Sequence, residues 1–113
     1  MTNSKDDKTK FVNSDDPAFL AVKGHFDNKS DAKDFVKGLA KAISVVFQKY
    51  GSAKLRCIGA AALNNAIKAT IIASGEASKK GVYFALSPSF TTVEFAGGED
   101  RTAIVLEVIE KKS

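Results

Sequence analysis

The chain has 113 residues, 44% of them apolar and 27% charged, and a formal net charge of +4. That length gives room for one domain with a single core, while the lone Cys57 excludes an internal disulfide and a multi-cysteine zinc site. No apolar run nears the roughly 18 residues needed to span a bilayer, and the opening MTNSKDDKTK lacks the apolar stretch of a secretory leader, so a cytoplasmic protein without membrane association is expected.

Residues 1–17 are polar, mixed in charge and end in Asp15, Asp16 and Pro17, which reads as a disordered tail in which only Phe11 and Val12 can dock. Residues 18–113 form the single folded domain. A short strand is predicted over 18–23, stopping at Gly24, and a loop over 25–29 leads into a helix over 30–50. In that helix Ala32, Phe35, Val36, Leu39, Ala40, Ile43, Val46, Phe47 and Tyr50 share one arc. Asn28 or Ser30 can cap its start, Asp31 and Asp34 suit the positive end of its dipole, and Gly51 suits a left-handed stop. Lys33, Lys37 and Lys41 stand on the opposite side at i, i+4 and i+8, a repulsive row that fits either a solvated face or an anionic partner.

Residues 53–58 read as a strand covered on both faces, and strand, helix, strand in succession implies a parallel crossover. A second helix is predicted over 60–74, within IGAAALNNAIKATIIASG (residues 58–75), with Gly75 as its stop. Leu63, Ile67 and Ile71 make one apolar row, Ala62, Ala66, Ala69 and Ala73 make a second, and together they should seat the helix on the sheet. Asn64, Asn65 and Lys68 remain outside that arc, with Ile72 among them. After a polar turn come strands over 82–86 and 90–95, with a break or bulge at Pro88 that places this part at a sheet edge. A hairpin loop at 97–100 precedes a last strand over 102–110.

The order β-α-β-α-β-β gives an α/β two-layer sandwich, a four-stranded mixed sheet with both helices on one face. The other face carries apolar side chains that a chain of this size cannot cover, so a homodimer is expected, with Ile72, Phe90 and Phe95 as candidate contacts. Residues 18–80 hold eleven basic against four acidic side chains, which suits a polyanionic partner or simply a solubilising surface. At the start of the second helix, Gly59, Ala60 and Ala61 can receive a phosphate on free N–H groups, or Gly59 only makes the turn. Asn64 and Asn65 can hydrogen-bond to phosphate, sugar or base, and Lys68 can neutralise a phosphate; Asn64 can equally serve backbone at a subunit seam. Arg56, in an apolar strand, either emerges at the sheet edge or pairs with a carboxylate, and Arg101 is expected to close the hairpin against Glu99 or Asp100. Phe26, Phe84, Phe90 and Phe95 are assigned to core or interface. His25 and Cys57 lie in different elements and no nucleotide or metal fingerprint exists, so no enzyme, cofactor or metal is expected.

The run IGAAALNNAIKATIIASG, the segment SPSFTTVEF and the segment EDRTAIVLEVIE resemble the stage V sporulation protein S family over residues 19–110, most specifically in the IGA, ALN and AIKA elements. The resemblance implies an Alba-type domain that binds nucleic acid, DNA or RNA, as a dimer with low sequence specificity. It further implies a role in bacterial developmental control and a cytoplasmic or nucleoid-associated location. Carried over, the contact zones are Lys23, His25 and Lys29 after the first strand, Asn64, Asn65 and Lys68 near the start of the second helix, and the hairpin at 97–101. Gly24 and His25 stand where Alba proteins carry a lysine pair, and Glu99 and Asp100 occupy a hairpin tip that should be basic, so the first two zones carry the weight, with Lys33 and Gly59 beside them. The competing reading is a non-enzymatic protein-interaction module that recruits a division or regulatory protein.

Overall fold

The computed structural model describes residues 16–95 and 97–112, so the tail reading for 1–17 falls outside it except at Asp16 and Pro17. In chain order the elements are β1 (Phe19–Val22), α1 (Lys29–Tyr50), β2 (Ala53–Cys57), α2 (Ala60–Ser78), β3 (Phe84–Glu94) and β4 (Asp100–Glu110). The four strands form one sheet in the order β1-β2-β4-β3, with β1 and β2 parallel and β4 antiparallel to both β2 and β3. This is the β-α-β-α-β-β order with a mixed sheet that the hydrophobic pattern predicts.

Alternation in β2 sets the two faces of the sheet. Ala53, Leu55 and Cys57 are fully buried and join Val22, Leu106 and Val108 in one core with Val36, Leu39, Ala40 and Ile43 of α1 and the alanines of α2. Lys54 and Arg56 point the other way, where Arg56 pairs in register with Val105 and its guanidinium lies 5.8 Å from the Phe19 ring. On that far face Val93, Ala103 and Val105 are buried as well.

Helix α1 keeps both of its predicted ends. The Asn28 side chain accepts from the Asp31 N–H at 2.8 Å, which settles the choice of cap, and the Gly51 N–H donates to the Phe47 carbonyl at 2.8 Å.

Helix α2 departs from expectation in two respects. It runs through Gly75 to Ser78, whose hydroxyl donates back to the Gly75 carbonyl at 2.9 Å. The chain turns away only at Gly81 (φ +81), where the Val82 N–H closes onto the Ala77 carbonyl. A glycine inside a helix costs only about 1 kcal/mol, less than the tertiary packing of the last turn can supply. Secondly, the alanine row seats the helix, joined from the other row by Leu63 only: Ala62, Ala66, Ala69 and Ala73 are buried while Ile67, Ile71 and Ile72 are exposed by 39%, 65% and 45%. Methyl side chains bring the backbone so close to the sheet that Ile67 and Ile71, unlike Leu63, are carried past the contact.

Strand β3 is continuous where a break was expected. Ser87, Pro88 and Ser89 pair with Glu107, Leu106 and Val105 without a slip in register, so no bulge forms. Pro88 is tolerated because β3 is an edge strand, as predicted, where a missing N–H need not interrupt a ladder. Phe84 packs against Phe47, their centroids 4.7 Å apart, and Phe26 packs against Phe35 at 5.1 Å, whereas Phe90 is 78% exposed.

Candidate functional site

Parallel pairing of β1 and β2 places the loop 23–28, the start of α1 and the start of α2 at one end of the sheet. The β3–β4 hairpin reaches the same end, because Ile104 near the start of β4 pairs with Cys57 at the end of β2. Candidate residues drawn from three separate stretches of sequence therefore share one edge of the molecule.

Two contacts join the loop to α2. The Asn65 side-chain amide donates to the Lys23 carbonyl at 3.0 Å and to the Gly24 carbonyl at 3.4 Å, and Asn65 is only 7% exposed. Gly24 then lies directly on the first turn: a Cβ built there would stand 2.6 Å from the Ala62 nitrogen and 3.1 Å from the Ala61 Cβ. No side chain fits in that gap, which accounts for glycine at this position. Of the two asparagines, Asn65 thus holds backbone, and Asn64 is the exposed one. The register of Asn65 on the helix gives no hint of this, since its partner carbonyls lie 41 and 42 residues away.

The two helix starts differ in electrostatics. At α1 the Asn28 carboxamide accepts the Asp31 N–H and donates to the Asp31 carboxylate at 3.2 Å, so a negative charge already faces that end. At α2 the cap is Gly59, no side chain caps the helix, and the first turn holds no acidic residue. Gly59 adopts φ +91, which disfavours any residue with a Cβ, and open space lies above it. Ala60 and Ala61 beside it are exposed, so the N–H groups of this turn are unobstructed by long side chains.

Around this start the structure exposes Lys23, His25, Lys29, Lys33, Asn64 and Lys68. The Lys23 ammonium sits 4.8 Å from the Phe26 ring centroid, a cation–π contact that steadies the loop. His25 is 3.9 Å from Asp27, both almost fully exposed, and a contact of that length in water constrains neither. Asp27 is the one acidic residue of the loop itself.

The hairpin behaves differently from expectation. The Arg101 guanidinium lies over the Phe95 ring at 5.5 Å, and no ion pair of Arg101 with Glu99 or Asp100 forms among the described residues. Glu94, Glu99 and Asp100 leave this tip acidic and exposed. Cys57, at the end of β2, is buried, and burial pushes its thiol up to about 11 with Arg56 pulling the other way. A neutral, buried thiol is a poor nucleophile. Among the described residues no group of three or more His, Cys, Asp or Glu side chains can hold a metal ion, and no helix is long and apolar enough to cross a membrane.

The family model for stage V sporulation protein S (SpoVS) matches residues 29–111, from the first residue of α1 to just past β4. The matched span takes in Lys29, Lys33, Gly59, Asn64, Asn65 and Lys68 and omits β1, Lys23 and His25. With well over half of its length matched, the chain belongs to the stage V sporulation protein S family and is a sporulation-related protein.

Proposed function

We propose that this chain is a non-enzymatic regulator that binds nucleic acid, DNA or RNA, through backbone contacts at the sheet end where the loop 23–28 meets α2. The observation that carries this reading is the Asn65 clasp, which makes one surface of the loop and the uncapped, acid-free start of α2. A phosphate on the N–H groups of Ala60 and Ala61 would have Lys23 on the adjoining loop and Lys68 two turns along α2 to neutralise its neighbours. Asn64 is the one exposed amide on α2 near that start, and a single amide reads little sequence, which fits low specificity. The acidic hairpin tip suits a flank that is kept off the phosphate backbone.

We also propose a homodimer. Val93, Ala103 and Val105 are buried, so the apolar surface left for a partner lies not on the far face of the sheet but at Ile71 and Ile72 of α2 and at Phe90 on the edge strand. Phe95 is half-buried beneath Arg101 and is a weaker contact candidate.

Fluorescence anisotropy with duplex DNA, single-stranded DNA and RNA at two salt concentrations tests the binding. Affinity should fall steeply with salt. The exposed isoleucines of α2 also favour a second reading, a protein-interaction module, for which binding to every nucleic acid would be weak and insensitive to salt.

A further inference from the structure

Beyond the proposed nucleic-acid surface, the C-terminal halves of α1 and α2 and the start of β3 line a groove of about 610 Å³. Its floor is apolar: Ala40, Phe47, Ala73, Ala77, Val82 and Phe84. The alanines on facing helices create the space, and the Phe47–Phe84 ring pair closes one wall. The volume lies within the roughly 300–1,000 Å³ of ordinary small-ligand sites, which are likewise mostly apolar with a few convergent polar groups.

The rim is cationic. Lys37 and Lys41 line it from α1 and Lys80 from the turn after α2, and none of the three forms an ion pair among the described residues. The only acidic residue on the rim, Glu76, already faces Lys79 at 3.6 Å. Lys37 and Lys41 are the second and third members of the repulsive row on α1. Their spacing therefore directs two like charges at the mouth of an apolar cavity, an arrangement that an incoming anion would relieve.

We propose that this groove binds a small amphiphilic anion, an acyl chain with a carboxylate head, its tail on the phenylalanine and alanine floor and its head between Lys41, Lys37 and Lys80. Concavity and volume suit a single chain better than a bilayer surface, and the excess of positive charge on the rim selects the carboxylate over a neutral head. The site is separate from the nucleic-acid surface and stands whether or not that surface is used.

Calorimetric titration of the full chain with dodecanoate below its micelle concentration tests this, with dodecanol as the neutral comparison and amide chemical-shift mapping as the locator. The proposal predicts saturable one-to-one binding of dodecanoate, weaker binding of dodecanol, and shifts centred on Ile72, Ala77 and Val82. Ala77→Phe, at a half-buried position on the floor, should fill the groove and weaken dodecanoate at least tenfold, and Lys41→Gln with Lys80→Gln should weaken it several-fold without altering the fold. Absence of saturable binding to the wild-type chain would overturn the proposal, as would equal affinity for acid and alcohol. If Ala77→Phe changes the mass in light scattering while dodecanoate fails to bind, the groove is a contact between copies and the proposal is wrong.

Discussion

The Asn65 side chain donates to the carbonyl of Lys23 across 3.0 Å and, more weakly, to that of Gly24, and this amide ties the exit from β1 to the first turns of α2. Removing it leaves two loop carbonyls without their donor in a part-buried setting. Asn65→Leu should therefore cost about 1–3 kcal/mol, read as a lowered urea midpoint with an unchanged slope. The same variant should weaken nucleic-acid binding while Asn64→Ala, at an exposed position, leaves stability untouched.

Gly24→Ala probes the same junction by steric means. Its Cβ would meet the Ala62 nitrogen at 2.6 Å, and the backbone there cannot swing aside as a side-chain tip can. An overpacking loss of about 1–3 kcal/mol is expected, measured by thermal unfolding. A variant as stable as the wild type would mean that the loop stands further from α2 than described.

Much of this architecture was legible because local and tertiary preferences agreed. Helix α1 has a wide apolar arc, a polar cap at Asn28 and a glycine at 51, so its range was readable to within one residue at the start. Helix α2 was harder. Its alanine and isoleucine rows are both apolar, and only the closeness of approach to the sheet decides that alanine goes in and Ile71 stays out. Gly75 resembles a stop because conformational freedom is visible in sequence, whereas the contacts that carry the helix on to Ser78 are not. Asn65 is the sharpest instance at the site, since a residue assigned to nucleic acid from its place outside the apolar arc is held by a loop more than 40 residues away.

Ile71 is 65% exposed on α2, so replacing it changes little inside the monomer. Ile71→Asp should alter unfolding free energy by about 0.5 kcal/mol or less at concentrations where the chain is monomeric. It should nevertheless shift the mass measured by light scattering from dimer to monomer. Retention of a dimer would remove this helix from the interface.

The buried thiol gives a pH dependence of definite sign. The Cys57 thiol ionises at about 11 when folded, against 9.0 in the open chain, so the unfolded state releases the proton first. Its contribution to stability is complete below pH 9 and is lost progressively toward pH 11. Arg56, lowered by burial to about 10, acts in the other direction from about pH 10 upward, so the Cys57 trend stands clear below that pH. Urea titrations between pH 8 and 10 should show a downward trend in the wild type that is absent from Cys57→Ala. Alkylation of the folded protein at pH 8 should be slow and should accelerate in denaturant.

At the acid end, the Asp16 carboxylate accepts from the Lys54 ammonium at 2.8 Å and from the Ala18 N–H at 2.9 Å, anchoring the entry to β1. The hydrogen bond from Lys54 is the main reason that its pKa lies below the ordinary value. The stability it contributes is present above pH 3.8, the open-chain value, and is lost as pH falls through the folded one. Asp16→Asn should lower the melting temperature at pH 7 and converge with the wild type at strongly acidic pH.

We propose that nucleic acid meets the start of α2, and a single exposed lysine tests it. Lys68 is exposed two turns into that helix and takes no part in the core, so Lys68→Glu isolates the charge without disturbing the fold. Anisotropy titrations of this variant against unrelated duplexes, single strands and RNA, each at two salt concentrations, are the most direct test. A roughly tenfold or greater loss of affinity is expected, shared by the sequences of whichever nucleic acid the wild type binds, with a shallower salt dependence. An unchanged affinity and salt slope would contradict it.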